Sequence, residues 1–387
     1  MKYNFDELVS REGTGSLKWD VAPGELPMWV ADMDFKTAPE ITEALAKRVQ
    51  HGIFGYTDVE DSWRTAYSSW WERRHHVSLE KENLIFCTGI VPAISSMVRK
   101  LTTPNENVLI QTPVYNIFFN SIINNGCRVL ESPLKNDGGV YSMDFEDLEK
   151  KLSNPQTSLM ILCNPHNPVG KIWSKEELSK VADLCVKYGV TVISDEIHCD
   201  IVRPGMEYVP FASVSDNAAK CSVTCIAPTK TFNIAGLQTA AVYVKDPFLR
   251  HKVWRGLNTD EVAEPNVFAA LAAETAFNFG EDWLISLNEY LFENRRVFEE
   301  YVLKNIPKLK ITHADATYLV WADISEFCRD SEKAARFIRE KTGLFVNEGA
   351  EYGSAGEGFL RINIACPRAR MEDGLERLKK GLELLED

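Results

Sequence analysis

The sequence predicts an α/β fold, a doubly wound and mostly parallel sheet with a second, smaller α+β domain. From Leu84 to about Val244, short apolar runs rich in β-branched residues alternate with stretches of helical character. After Pro247 the pattern changes to long helices, then short strands and a last helix. The length of 387 residues exceeds what one core supports, so two domains are expected. Residues 1–45 are read as an arm and part of the smaller domain, 46–284 as the larger domain, and 285–387 as the rest of the smaller one.

The first 35 residues are loop-like and end in Trp29 and Phe35. A helix is expected from Thr37, with Pro39 in its first turn and Gly52 as its stop. The turn Gly55-Tyr56-Thr57 precedes a second helix, Asp61 to Arg74, which carries Trp63, Trp70 and Trp71. Strands are predicted up to Cys87 and at 108–111, 128–131, 159–163 and 190–194. Helices are predicted after Pro92 and at 117–125 and 175–188. A strand is expected on each side of Lys230, at 221–227 and 239–244. The C-terminal third reads as helices at about 266–277 and 282–304, a strand at 359–364 and a helix from about Met371 to Glu386. The glycines of Gly353-Ser-Ala-Gly-Glu-Gly358 lack the lysine of a phosphate loop and read as a connection into that strand.

Composition narrows the function. The net charge of −13, with no block of Lys or Arg, argues against nucleic acid as the partner. Nine cysteines are scattered without a Cys-x-x-Cys pair, several inside apolar runs, which suits a reducing compartment. The first residues lack a secretory core and no apolar window is long enough to span a bilayer, so a cytoplasmic protein with no membrane partner is expected. His75-His76 and His198-Cys199-Asp200 lack paired ligands at zinc spacing, so no metal is expected.

Three side chains stand at or just beyond predicted strand ends: Asn167 in Asn164-Pro-His-Asn-Pro-Val-Gly170, Asp195 in Val192-Ile-Ser-Asp-Glu-Ile-His198, and Lys230 in Ala227-Pro-Thr-Lys-Thr-Phe-Asn-Ile-Ala-Gly-Leu-Gln238. Ligands of open α/β sheets collect outside the carboxyl ends of the strands, where these three could converge. Two of them have a plainer reading: Lys230 as a solvated lysine and Asp195 as a helix cap. Desolvation favours the neutral amine of a lysine, the form that condenses with a carbonyl. A carboxylate, an amide and an amine together are what a pyridoxal phosphate ring needs. Thr88-Gly-Ile-Val-Pro92 joins a strand to a helix, so the amides of Gly89, Ile90 and Val91 could receive an anion. Arg361, between Leu360 and Ile362 in a predicted strand, needs an anion, either a substrate carboxylate or an internal acid.

Four segments carry a resemblance: Pro27-Met-Trp-Val-Ala-Asp-Met-Asp-Phe35, Asp195-Glu-Ile-His-Cys-Asp200, the Lys230 loop, and Phe359-Leu-Arg-Ile-Asn-Ile-Ala-Cys-Pro-Arg368. The chain resembles the fold-type I pyridoxal-phosphate enzymes of the class I/II aminotransferase superfamily over nearly its whole length. Within that superfamily it is most similar to the MalY/PatB cystathionine β-lyase-like carbon–sulfur lyases. The resemblance implies a seven-stranded sheet, a homodimer with shared active sites, and pyridoxal 5'-phosphate bound through Lys230. It gives Asp195 the ring nitrogen, Asn167 the phenolic oxygen and a share of the substrate, Tyr115 the ring face, and Arg361 the substrate α-carboxylate. Gly89, Ile90, Val91 and Thr229 would hold the phosphate, with Tyr56 reaching it from the other subunit. His198 would support Asp195 or the phenolic oxygen, and the Trp29 segment would wall the substrate pocket. One place departs from the wider superfamily: Gln238 stands where many aminotransferases carry a phosphate-binding arginine. The expected activity is α,β-elimination from cystathionine or related S-substituted cysteines to pyruvate, ammonia and a thiol. An aminotransferase is the alternative, and a regulatory binding protein on this fold is a third reading.

Overall fold

The computed structural model describes residues 3–386; Met1, Lys2 and Asp387, at the ends of the outer expected segments, lie outside the described residues. Apolar runs become strands where they are short and bounded, as in Thr157–Cys163 (TSLMILC), whose side chains are buried along nearly its whole length. Seven such strands form one sheet in the order Leu84–Cys87, Ala240–Tyr243, Ser222–Ile226, Thr191–Asp195, Thr157–Cys163, Asn107–Ile110 and Arg128–Glu131. Ala240–Tyr243 runs antiparallel to both neighbours, and the remaining pairings are parallel. The parallel strands therefore end along one edge, which brings Cys163, Asp195 and Ile226 to neighbouring positions.

Helices cover this sheet, and their limits follow local chemistry. Lys175–Tyr188 starts with a capping box between Ser174 and Glu177 and stops at Gly189, which has φ 71°. Pro39–His51 has proline at its first position and stops at Gly52, with φ 75°. Ile90–Leu101 begins two residues before Pro92, since proline is tolerated in a first turn, where amides have no intrahelical acceptor.

A second, antiparallel sheet is made from Lys310–Ile311, Leu319–Asp323, Phe359–Asn363 and Asn347–Glu348. The 25-residue helix Glu281–Asn305 packs against the final helix Arg368–Glu386 beside it. Leu26–Pro27 pairs in parallel with Leu344–Phe345, so the N-terminal segment joins this part of the molecule. The sequence reading passed over the helix Ser331–Thr342, although Asp330 caps its start and Gly343, with φ 73°, ends it. It also passed over the hairpin Lys135–Asp137/Val140–Ser142, whose turn uses Gly138 and Gly139 at positive φ.

Candidate active site

A cavity of about 270 Å³ opens at the carboxyl edge of the large sheet. Gly89, Ile90, Val91, Tyr115, Asn167, Asp195, His198, Thr229 and Lys230 all line it, together with Ala31, Thr88, Cys163, Ile197 and Gln238. Asp195 is the last residue of its strand, so its carboxylate points out of the sheet end, where Oδ1 accepts from the Ile197 amide at 3.2 Å. Lys230 sits on a one-turn helix, Pro228–Thr231, and not in the open loop expected, because Pro228 presets the first turn.

The amine of Lys230 donates to the Ala31 carbonyl, which also accepts from the Tyr318 hydroxyl at 2.9 Å. Burial and the neighbouring Arg361 pull Lys230 down to about 8, with Asp32 and Asp195 opposing. Burial pushes Asp195 up to about 7, with the Ile197 amide and Lys230 opposing. His198 is pulled down to about 3 by burial and by Lys230 and Arg361, so it is neutral throughout the physiological range. The pocket thus favours an uncharged amine and penalises an unpaired carboxylate.

Arg361 is 4% exposed and lies opposite Trp321 and Asn347 in the small sheet. Its Nη2 donates to the Trp29 carbonyl at 2.8 Å and to Asn347 Oδ1 at 2.9 Å, while Nε and Nη1 have no hydrogen-bond partner among the described residues. Trp29 meets Arg361 through its backbone; its ring stacks on Phe345 with centroids 4.6 Å apart and is not in the cavity lining. Asn347 was missed in the sequence, where nothing separates it from a surface amide. Tyr56 is fully exposed on the chain surface and is likewise absent from the lining.

The residues fit the cofactor expected from the resemblance. Among the described residues, Asn167 Oδ1 and His198 Nδ1 are buried without hydrogen-bond partners, a costly arrangement that a polar ligand relieves. The first turn of Ile90–Leu101 offers amides lacking intrahelical acceptors, although the Gly89 amide lies against the Cys87 thiol. A cationic ring nitrogen beside Asp195 would hold that carboxylate ionised. A separate trio, His75, Cys199 and Asp200, brings three ligand atoms within 4.8 Å of one another. The Asp200 carboxylate oxygens there are already engaged by Trp70, His75 and Thr231.

The model of the family described as "Aminotransferase class I and II" matches residues 26–378. Cystathionine beta-lyase PatB of Bacillus subtilis is 44% identical over 98% of this chain and 100% of its own length. The crystal structure of cystalysin from Treponema denticola, which contains a pyridoxal 5'-phosphate cofactor, superimposes with a TM-score of 0.96 at 34% identity over the whole of both chains. The pyridoxal-phosphate-bound C–S lyase of Staphylococcus hominis gives 0.92 at 34% identity over 98% of each chain.

Proposed function

Because the chain belongs to the aminotransferase class I and II family, we propose that it is a pyridoxal 5'-phosphate-dependent carbon–sulfur β-lyase acting on cystathionine or related S-substituted L-cysteines. The observation that carries this reading is the cavity in which a lysine with its pKa depressed to about 8 shares walls with Asp195 and Asn167. The 44% identity to a cystathionine β-lyase and the likeness to a C–S lyase support the reaction type.

In this reading Asp195, Asn167, His198 and Tyr115 would hold the ring of the cofactor, and Thr229 with the amides of Gly89, Ile90 and Val91 its phosphate. Bound there, it supplies an electron sink for charge released at the substrate Cα. Arg361 receives the α-carboxylate on its unpartnered N–H groups and so orients the Cα–H bond. Lys230 Nζ, whose pKa the pocket lowers to about 8, removes the Cα proton as general base from its uncharged form. Loss of the thiolate from Cβ then leaves a product that hydrolyses to pyruvate and ammonia. Asp195 would stay ionised if the ring nitrogen it holds is cationic, and His198, neutral, adds no charge.

We further propose a homodimer in which Tyr56 completes the phosphate site of the other subunit. Its support is the segment 52–60, where Ile53, Phe54 and Tyr56 are all exposed, as apolar residues awaiting a partner surface are. A cytoplasmic location is supported by nine cysteines without a disulfide; no helix of the described residues is long and apolar enough to cross a membrane. The test is to supply the loaded protein with cystathionine, other S-substituted cysteines and ordinary amino acids, and to quantify pyruvate. Pyruvate and thiol in equal amounts without an added amino acceptor support the lyase. Keto acid formed only with an acceptor would replace it with a transaminase.

A further inference from the structure

We infer that Asp200 is a positioning residue for Lys230, acting through Thr231; the inference rests on reading Lys230 as the reacting amine. The turn that carries Lys230 has four residues, Pro228–Thr231, and ends with the Phe232 amide bonded to the Pro228 carbonyl at 2.9 Å. One helical turn has no cooperative stability of its own, so side-chain anchors fix where its amine points.

Thr231, fully buried beside Lys230, donates its hydroxyl to Asp200 Oδ2 at 2.9 Å. Asp200 is itself held from two further sides. Trp70 Nε1 lies 3.1 Å from Oδ1 and 3.3 Å from Oδ2, and His75 Nε2 lies 3.0 Å from Oδ1. The Asp200 backbone carbonyl accepts from Asn288 Nδ2 at 2.8 Å. The carboxylate is thereby tied to helix Asp61–His75 and the backbone of the same residue to helix Glu281–Asn305. Burial pushes its pKa up, but His75, Arg74 and Thr231 bring it below the ordinary value. A buried carboxylate is tolerated only when its oxygens are satisfied, and Thr231 supplies one of the donors.

The same short segment carries Asp195 and His198 into the cavity and Asp200 to Thr231. It is a compact turn, with Cys199 N bonded to the Glu196 carbonyl and Ile201 N to the His198 carbonyl, both at 3.0 Å. Beside the direct pairing of their strands at Asp195 and Cys225, the Asp195 segment and the Lys230 turn are thus linked by five residues of tight turn and one side-chain hydrogen bond. Neither Asp200 nor Thr231 lines the cavity, so neither acts on the reacting atoms directly.

Thr231→Val is nearly isosteric and removes only the hydroxyl; Thr231→Ser keeps it, and Asp200→Asn is the second variant. With S-methylcysteine, T231V should lower kcat about tenfold or more with KM little changed, and T231S should recover most of the loss. In the apoprotein, the pH midpoint for acetylation of Lys230, read by peptide mass spectrometry, should rise towards that of an ordinary lysine in T231V and D200N but not in T231S. Unchanged midpoints and kcat in T231V and D200N would overturn the inference, and so would a fall in thermal stability alone. If wild type releases no pyruvate, the lyase reading fails, while the labelling midpoint still decides this inference.

Discussion

Replacing Asp195 by Asn should make the cofactor-free protein more stable in alkali and the working enzyme useless. In the free chain this carboxyl titrates near 3.8, and burial raises it to about 7 in the fold. Below pH 3.8 it is protonated in both states and costs nothing. As pH rises towards 7 the unfolded chain ionises while the folded one resists, so stability is lost across that window and stays lost above it. At 1.36 kcal/mol per pH unit the full loss is roughly 4 kcal/mol, more than half of which develops between pH 5 and pH 8. Asn can still accept from the Ile197 amide, but its own N–H groups need new partners, at about 1–2 kcal/mol. The net gain for D195N is then about 2 kcal/mol at pH 8 and close to zero at pH 5. Urea titrations of both apoproteins at the two pH values measure this directly. Adding pyridoxal phosphate should reverse the ranking, because a ligand that favours the ionised carboxylate stabilises wild type more. A D195N advantage that does not change between pH 5 and pH 8 would show that Asp195 is not the strained group described here.

Lys230→Ala should lower pyruvate release by at least about a thousandfold, the upper range for losing a general base, and stopped assays on the loaded protein check this. In wild-type apoprotein, half-maximal acylation of Lys230 should fall near pH 8, well below the range of surface lysines in the same digest. Arg361→Lys keeps the charge but loses the planar fork, and should raise KM about 10–100-fold, the equivalent of a charged hydrogen bond, with kcat less affected. Gly349→Ala would drive a methyl group into the carbonyl oxygens of Gly356 and Phe359. It should cost about 2 kcal/mol in denaturant titration and also raise KM, since Phe359 begins the strand that carries Arg361.

What the sequence made legible was set by how local its signal was. The parallel strands announce themselves as continuous apolar runs because both of their faces are covered. Gly52, Gly189 and the Ser174/Glu177 box mark helix ends within a few residues of chain. Arg361 could be singled out because a cation between two apolar strand neighbours is anomalous wherever it occurs. Lys230 could not, since Thr-Lys-Thr says nothing about burial; only its order relative to Asn167 and Asp195, and the resemblance built on them, drew attention to it. Contacts between distant segments left no trace at all. Nothing in the sequence singles out Lys18, yet it is 1% exposed, 3.1 Å from Asp34, which also meets Arg11 and Arg370. Tyr56 marks the opposite limit, because its expected role needs a second chain that one sequence cannot place.

The segment from Met28 to Phe35 explains how two sheets make one site. On the small-sheet side, Asn363 donates from its backbone to Met28 and from its side chain to Val30 and Asp32, and the Asp34 amide bonds to Ala365 at 2.9 Å. On the other side, Asn233, three residues after Lys230, exchanges hydrogen bonds with Met33 and donates to Phe35. Between these moorings, the carbonyl of Trp29 receives Arg361 and that of Ala31 receives Lys230. Two residues of chain span at most about 7 Å, so the cation proposed for the carboxylate and the amine proposed for the proton contact nearby points of one strap. An α-amino acid presents its carboxylate and its Cα–H close together, and a strap this short keeps Arg361 and Lys230 near one another. The ion cluster around Asp34 fixes the far end of the segment that Arg361 and Lys230 both contact.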